Sequence, residues 1–218
     1  MIEFVRGMVD DLGHPVQANA YITPPANRGF DPHYDVHDVF VLQTSGRKHW
    51  RGHETVHRDP LPTQPWTDHR DAITARGDDR PVIDTVLEPG DALYLPRGWV
   101  HSAEALGDTS IHLTIGVSAV TTYDLVRAVM DQLGNVESMR ASLPMGNDFT
   151  DRDETAAQAT KAIAAAIDVL QNGTTDLAEG VASRMSAVHA ERTRPDAVRP
   201  LATLRAVDAL DEHTVVRR

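Results

Sequence analysis

Short segments in which apolar and polar residues alternate occupy most of the chain between residues 15 and 120. Alternation with a period of two is typical of strands that bury one face, and clusters of Pro, Gly, Asp and Ser separate the segments. The predicted strands are Gln17–Thr23, Asp38–Gln43, Arg47–Arg51, Val82–Leu87, Ala92–Leu95, Trp99–Ala105 and Ser110–Val117. Many short strands at this spacing favour an antiparallel barrel or jelly roll.

One segment of this region, residues 57–81, has no clear period. It is polar and contains prolines, Trp66, His69 and several charged residues. We predict no single element for it and expect it to lie over the surface.

The pattern becomes helical after Val120. A first helix begins after Thr121 or Thr122 and carries apolar residues three and four apart until Gly134. Two further helices are predicted over about residues 153–170 and 176–190. Their apolar stripes exceed what single helices bury, so we expect them to pack on one another, on the barrel or on a second subunit.

The amino-acid composition indicates a cellular compartment and limits the residue types that can bind a metal ion. The 218 residues, 41% of them hydrophobic, suffice for one main core and a smaller appendage. Without cysteine, any metal must be held by His and carboxylate groups, and a reducing, cytoplasmic compartment is expected. We predict neither a membrane span nor an N-terminal signal core. The net charge of -11 argues against nucleic-acid binding and suits a basic partner.

The clearest chemical signal comes from two motifs that lie far apart in the chain. His33 and Asp35 are two residues apart, so on a strand both point to the same side and can face one interior point. The second motif, residues 90–101, contains turn-forming residues and ends in His101, on a strand that a barrel would bring opposite the pair. Two imidazoles and one carboxylate leave adjacent coordination positions open, as non-haem Fe(II) oxygenases require. The sequence therefore predicts His33, Asp35 and His101 as metal ligands.

Lys48 is a candidate cation for the far carboxylate of a 2-oxo acid. The alternative is a solvent-exposed hairpin lysine, and Arg47 and Arg51 are alternative cations. Because neighbouring residues of a strand alternate faces, Lys48 and Arg47 cannot both point inward.

The other histidines give weaker signals. His53 and His57 are four residues apart, but no helix is predicted there that would make the spacing a ligand pair. His112 lies in an apolar run and is predicted to be a core histidine with its hydrogen bonds made, or a residue that supports a ligand, rather than a ligand itself.

Four segments of the chain, NAYITPP, PHYDVHDVFVLQTSGRKHW, LEPGDALYLPRGWVHSAE and SIHLTIG, resemble the JmjC-type cupins known as ribosomal oxygenases. The resemblance covers roughly residues 17–120. It implies a mainly β plus α fold: a double-stranded β-helix, the cupin or JmjC jelly roll, in residues 1–120, followed by a helical, dimerising region in residues 121–195. Residues 196–218 would be a linker or the start of a truncated C-terminal domain.

The same resemblance implies an activity and assigns residues to it. Fe(II) would be bound by the three ligands named above, and Lys48 would pair with the distal carboxylate of the co-substrate 2-oxoglutarate. Asn19, Tyr21 and Thr114 fall near the co-substrate or the target. The implied reaction is hydroxylation of an arginine or histidine side chain of a ribosomal protein, by a cytoplasmic homodimer with no membrane and no direct nucleic-acid contact.

The chain also departs from the family pattern. Gly116 stands where a small hydroxyl residue often occurs, which removes one hydrogen bond to the co-substrate. The family's N-terminal segment and C-terminal winged-helix domain do not both fit in this length, so a fragment or a naturally short member is expected. The alternative functions are the same chemistry on a peptide or small metabolite, and a non-catalytic metal-binding cupin.

Overall fold

The computed structural model describes residues 2–25 and 29–194. The chain divides into two compact units, with the boundary between Ala119 and Val120. The predicted linker or domain start at residues 196–218 lies outside the described residues. No helix within the described ranges combines the length and the apolar character that crossing a membrane requires.

The described residues of the first unit form seven antiparallel strands in two sheets. The strands are β1 (Val16–Thr23), β2 (Asp38–Ser45), β3 (Lys48–His53), β4 (Ile83–Leu87), β5 (Ala92–Leu95), β6 (Val100–Ala105) and β7 (Ser110–Val117). One sheet has the order β1-β7-β2-β5 and the other the order β4-β3-β6. Because the chain passes back and forth between the sheets, the strands form the predicted double-stranded β-helix of the cupin class.

The alternation of residues along these strands decides what faces the interior. On β2, Val39, Val41 and Gln43 are buried, whereas the residues between them are only partly buried. Val39 and Val41 pack with Trp50, Leu87 and Leu95 to form the main apolar cluster. Burial of such side chains stabilises the barrel by roughly 1.5–3 kcal/mol each.

A tight turn at Gly98 joins the second sequence motif to the first. Gly98 has a φ of 83° and its Cα faces the carbonyl oxygen of His57, where a Cβ would lie 2.7 Å from that oxygen. Only glycine combines this backbone conformation with so close an approach. The Gly98 N–H donates to the carbonyl of Asp35, so the turn is fastened to the first motif.

The expectation that residues 57–81 lie over the surface was wrong for part of the segment. A 3-10 turn (Trp66–His69) leads into helix α2 (Arg70–Gly77), and Ile73 of that helix is fully buried. Ile73 packs with Tyr34 and Val100, so part of the segment belongs to the core rather than to the surface. Apolar periodicity over eight residues is too short to be seen in the sequence.

An N-terminal helix, α1 (Ile2–Leu12), was not predicted. Phe4, Met8 and Leu12 recur four residues apart, a helical spacing that could have indicated it. The helix ends at Gly13, which has a φ of 67°.

The second unit is helical, as predicted. It contains α3 (Thr122–Leu133), α4 (Arg152–Asn172) and α5 (Thr174–Arg192). Thr121 and Asp124 form a complete capping box at the start of α3. Ala128 and Leu133 of α3 and Val181 of α5 are buried, and these two helices pack together. The observed helices extend one to two residues beyond the predicted bounds of α4 and α5.

Candidate metal and co-substrate site

His33, Asp35 and His101 come together at one point of the barrel. One potential ligand atom from each side chain lies within 4.8 Å of the other two, and no other group of this kind occurs in the described ranges. The Nε2 atom of His101 is 3.6 Å from a carboxylate oxygen of Asp35. The two imidazole centroids are 4.5 Å apart.

The backbone route to this geometry differs from the prediction. His33 and Asp35 do not lie on a regular strand; they lie in an irregular segment in which His33 forms an isolated bridge with His101. The two bridged histidines exchange both backbone hydrogen bonds, at N···O distances of 3.1 and 2.8 Å. This bridge, rather than a strand, fixes the first motif against β6.

The hydrogen bonds of both histidines orient them for metal binding. His33 Nδ1 is 2.8 Å from the carbonyl oxygen of Asp31, and His101 Nδ1 is 3.0 Å from that of Trp99. A carbonyl oxygen only accepts, so each Nδ1 carries a proton and Nε2 is the nitrogen that can bind a metal ion. Backbone carbonyls often fix metal-binding histidines in this way.

Burial keeps His101 neutral. Loss of hydration, together with the neighbouring His33, lowers its pKa to about 4 against the opposing effect of Asp35. A neutral imidazole is the form that binds a metal ion. The donor set of two imidazoles and a carboxylate fits Fe(II) or a similar divalent ion.

The three side chains border a cavity with about 600 Å³ of empty space, counting its open mouth. Lys48, Tyr21 and Thr114, all predicted site residues, also line it. Asn19 does not line the cavity: it lies on the same face of β1 as Tyr21 but is exposed to solvent. The residues that the sequence did not assign to the site are Thr23, Gly29, Phe30, Val39, Trp50, Ala103 and His112.

Lys48 points into the barrel. It is 4% exposed, whereas Arg47 is exposed to solvent and Arg51, on the opposite face of β3, is only partly buried, so Lys48 is the one of the three candidate cations that lines the cavity. The Lys48 ammonium donates to the Thr23 hydroxyl at 3.1 Å and lies 5.8 Å from the Trp50 ring centre. Burial lowers the pKa of Lys48. A buried cation held by a neutral hydroxyl and an aromatic ring is suited to an anionic ligand.

His112 forms a wall of the same cavity, so of its two predicted roles the first, a core histidine with its hydrogen bonds made, is wrong, and the second, a residue that supports a ligand, stays a prediction. Its ring stacks on Tyr21 at 5.1 Å and meets Trp50 edge-on at 5.5 Å. It is buried, and its Nδ1 has no hydrogen-bond partner. Burial, and then the charge of Lys48, lower the pKa of His112 to about 4.

The depressed pKa predicts an acid dependence of stability. In the unfolded chain His112 binds a proton below its ordinary pKa of 6.5, whereas in the folded chain it binds one only below its lowered pKa of about 4. The folded state is therefore destabilised as pH falls between these values, by up to roughly 3 kcal/mol from this group. In urea unfolding at pH 7 and about pH 4.5, a value between the two pKa values, His112→Phe should lose less stability on acidification than the unaltered chain; equal losses would contradict the assignment.

The pair His53 and His57, which the sequence did not favour as a ligand pair, belongs to no group of potential metal ligands in the described residues. His53 is buried with an unpartnered Nδ1, while His57 stacks on His69 at 4.7 Å and contacts the Gln64 side chain. No acidic or imidazole group joins them closely enough to bind an ion in the described part of the chain.

Together, the barrel and its donor set define a cupin with a two-histidine, one-carboxylate site. A family model described as JmjC domain matches residues 4–125. The chain belongs to the JmjC domain family, and the predicted resemblance is confirmed.

Several curated relatives and solved structures are similar to the chain. Ribosomal oxygenase 1 of Homo sapiens is 37% identical over 155 residues, covering 68% of this chain and 24% of the relative. The bifunctional lysine-specific demethylase and histidyl-hydroxylase NO66 of Drosophila persimilis is 37% identical over 131 residues, covering 60% of this chain and 18% of the relative. The chain thus spans about a quarter or less of the length of these relatives.

Among solved structures, the Escherichia coli ribosomal oxygenase YcfD in complex with cobalt and 2-oxoglutarate is 21% identical, with a TM-score of 0.47. The match covers 82% of this chain and 47% of that one.

Proposed function

We propose that this chain is an Fe(II)- and 2-oxoglutarate-dependent dioxygenase that hydroxylates a side chain, arginine or histidine, of a ribosomal protein. One observation carries the proposal: the three ligand atoms within 4.8 Å share a cavity with the buried ammonium of Lys48. A metal site and a cation in one cavity suit a molecule that chelates at one end and is anionic at the other. The relatives named ribosomal oxygenases support the class of substrate.

The reaction has a simple balance. 2-Oxoglutarate, dioxygen and a C–H bond give succinate, carbon dioxide and an alcohol. When bound, Fe(II) supplies the activation of oxygen and of the oxo acid. The protein contributes the ligands, the orientation of the co-substrate and the exclusion of water.

The inner part of the cavity holds the co-substrate. Lys48 donates to the distal carboxylate, and the hydroxyls of Thr23 and Thr114 are available as further hydrogen-bond donors on the same cavity wall. His112, neutral near pH 7, adds no charge that would compete with Lys48 for the carboxylate.

The mouth of the cavity is aromatic. Phe30 is 70% exposed, with its ring 5.6 Å from that of His33 and 6.4 Å from that of Tyr21. Trp66 does not line the cavity, but its ring lies 6.2 Å from that of His33, and the Arg70 guanidinium stacks over it at 4.7 Å. Aromatic rings at the mouth suit a planar or cationic target side chain. The net charge of -11 favours the approach of a basic protein.

The test is an anaerobic titration with Fe(II) and 2-oxoglutarate, followed by admission of air. We expect the weak visible absorption band of the chelate and then stoichiometric release of succinate. Mass spectrometry of the host's ribosomal proteins, with and without the gene, would then identify the hydroxylated residue. Unmodified ribosomal proteins would favour a peptide or small metabolite, and chelation without succinate would favour a non-catalytic cupin.

We further propose that the helical unit pairs two copies of the chain. Every residue of α4 is described and none is buried, and Ile163 and Ile167, one turn apart, are 61% and 47% exposed. Apolar side chains on one helix face are stabilised by a second copy.

The predicted cytoplasmic location stays a prediction.

Light scattering should therefore give the mass of a dimer. Ile163→Glu with Ile167→Glu should shift it to that of a monomer at micromolar concentration, because each charge would be buried without a partner. Lys161→Glu, on the same helix but already polar, is the control. A monomeric mass for the unaltered chain would refute the pairing.

A further inference from the structure

His37 is an additional histidine beside the metal site that none of the steps above uses. It directly precedes β2, on which Val39 and the alternate residues after it are buried in the barrel. By the same alternation, the side chain of His37 points to the interior. It does not line the cavity and is only partly exposed.

The ring of His37 rests on Gly116 in the middle of the larger sheet. A Cβ built on Gly116 would lie 2.5 Å from Cδ2 and 2.7 Å from Nε2 of His37, closer than real Cβ contacts come. Gly116 has no positive φ, so its backbone does not require glycine. Since glycine weakens a strand interior, the close approach of His37 is the physical reason for glycine here.

The segment that carries Asp35 is thereby held at both ends. At one end, His33 exchanges two backbone hydrogen bonds with His101 on β6. At the other end, the His37 ring fills the space above Gly116 on β7. The strands β6 and β7 belong to different sheets, so Asp35 lies between two anchors on opposite sides of the barrel.

We propose that His37 is a positioning residue that sets the carboxylate of Asp35 for metal binding through its seat on Gly116. The proposal rests on the metal site of the proposed function, but not on turnover. The effect depends on the shape of the His37 ring, which fills the space that a Cβ on residue 116 would otherwise occupy. Mutation of a residue that orients a metal ligand without binding the metal itself typically lowers metal affinity by about 10–100-fold.

The test measures the dissociation constant of Co(II) by its visible absorption, with the fraction of folded chain determined separately by circular dichroism. His37→Ala removes the ring, and Gly116→Ala displaces it. We expect each to weaken Co(II) binding by about tenfold. His37→Phe retains a planar ring and should stay within about threefold of the unaltered chain. Gly7→Ala, in α1 with nothing within 4 Å of the added Cβ, is the matched control.

The double variant decides the mechanism. Once His37 is replaced by alanine, the Cβ that Gly116→Ala introduces has no ring to displace and meets the flexible side chain of Gln17, whose Cγ lies 3.2 Å away. The double variant should therefore bind Co(II) no more weakly than His37→Ala alone. Additive losses, or unaltered Co(II) affinity in the folded fraction of both single variants, would overturn the proposal. Failure of His37→Phe to retain binding would overturn the role of ring shape.

These outcomes are separate from those of the proposed function. If the unaltered chain binds Co(II) but releases no succinate with Fe(II), the dioxygenase proposal fails and the variants still decide the role of His37. If the unaltered chain binds no Co(II), both proposals fail.

Discussion

His33→Ala and Asp35→Ala should each abolish succinate release and weaken Co(II) binding by more than roughly 100-fold, because removing even an outer partner of a ligand costs about 10–100-fold. Each variant leaves two of three donors, and Asp35→Ala also removes the charge that faces the buried His101. The loss of a donor and the loss of the Asp35 charge both weaken the binding of the metal ion. Metal affinity and turnover should therefore fall together, which calorimetry with Co(II) and a succinate assay can measure.

The control for this prediction is His49→Ala. His49 is also a histidine paired with a carboxylate, since its Nε2 lies 2.5 Å from Asp84, and it neighbours Lys48 on β3. It does not line the cavity. Its loss should leave Co(II) binding and succinate release within about twofold. Equal losses in His49→Ala and His33→Ala would mean that the variants act through folding rather than through the metal.

The strands could be predicted because the alternation of residues records which face of each strand is buried. The predicted and observed bounds of the seven strands differ by no more than two residues at either end. The order of the strands in the two sheets could not be derived from that pattern, since a period of two says nothing about neighbours. The resemblance to a family supplied the topology.

The metal ligands were predicted for a reason that was partly wrong. The two-residue spacing of His33 and Asp35 was interpreted as strand geometry, but the segment is irregular and its direction is set by the bridge to His101. Such a bridge joins residues that are far apart in the chain, and no local pattern indicates it. The structure therefore brings the three predicted ligands together by a backbone conformation that the sequence did not indicate.

The remaining cavity residues show what local patterns miss. His112 and Thr114 are two apart on β7, so the prediction that Thr114 lies near the co-substrate placed His112 on the same face. The apolar neighbours of His112 suggested a core instead. Trp50 lies two residues after Lys48 on β3, so the same alternation placed it on the inward face, but its role in the cavity was not predicted. Phe30 gave no signal, because it lies outside the strands and is fixed by contacts with Tyr21 and His33.

Lys48→Met should weaken the binding of 2-oxoglutarate without destabilising the folded chain. The thioether retains most of the volume of the side chain but cannot donate to a carboxylate, and a charge-assisted hydrogen bond contributes about 1.5–3 kcal/mol. We expect the dissociation constant of 2-oxoglutarate on the Co(II)-loaded chain to rise by roughly 10–100-fold. Co(II) affinity should not change, because Lys48 is not one of the three ligands.

The same substitution should stabilise the chain in the absence of co-substrate. Burial lowers the pKa of Lys48 below 10.5, so the unfolded chain binds the proton more tightly than the folded chain. This destabilisation is fully present below the folded pKa and disappears as pH rises toward 10.5. Lys48→Met removes it, and we expect about 1–2 kcal/mol of added stability near pH 7 in urea unfolding.

The control is Arg47→Met, next in the chain but exposed to solvent, which should change neither quantity. A destabilised Lys48→Met with unaltered 2-oxoglutarate binding would assign Lys48 to the core and remove the anion site from the proposed function. We expect instead that Lys48→Met is stabilised and binds 2-oxoglutarate more weakly, for one physical reason. A cation kept in the barrel with a single hydroxyl partner lowers the stability of the empty chain, and an anion that binds there restores it. In that case saturating 2-oxoglutarate should raise the melting temperature of the metal-loaded chain and leave that of metal-loaded Lys48→Met almost unchanged.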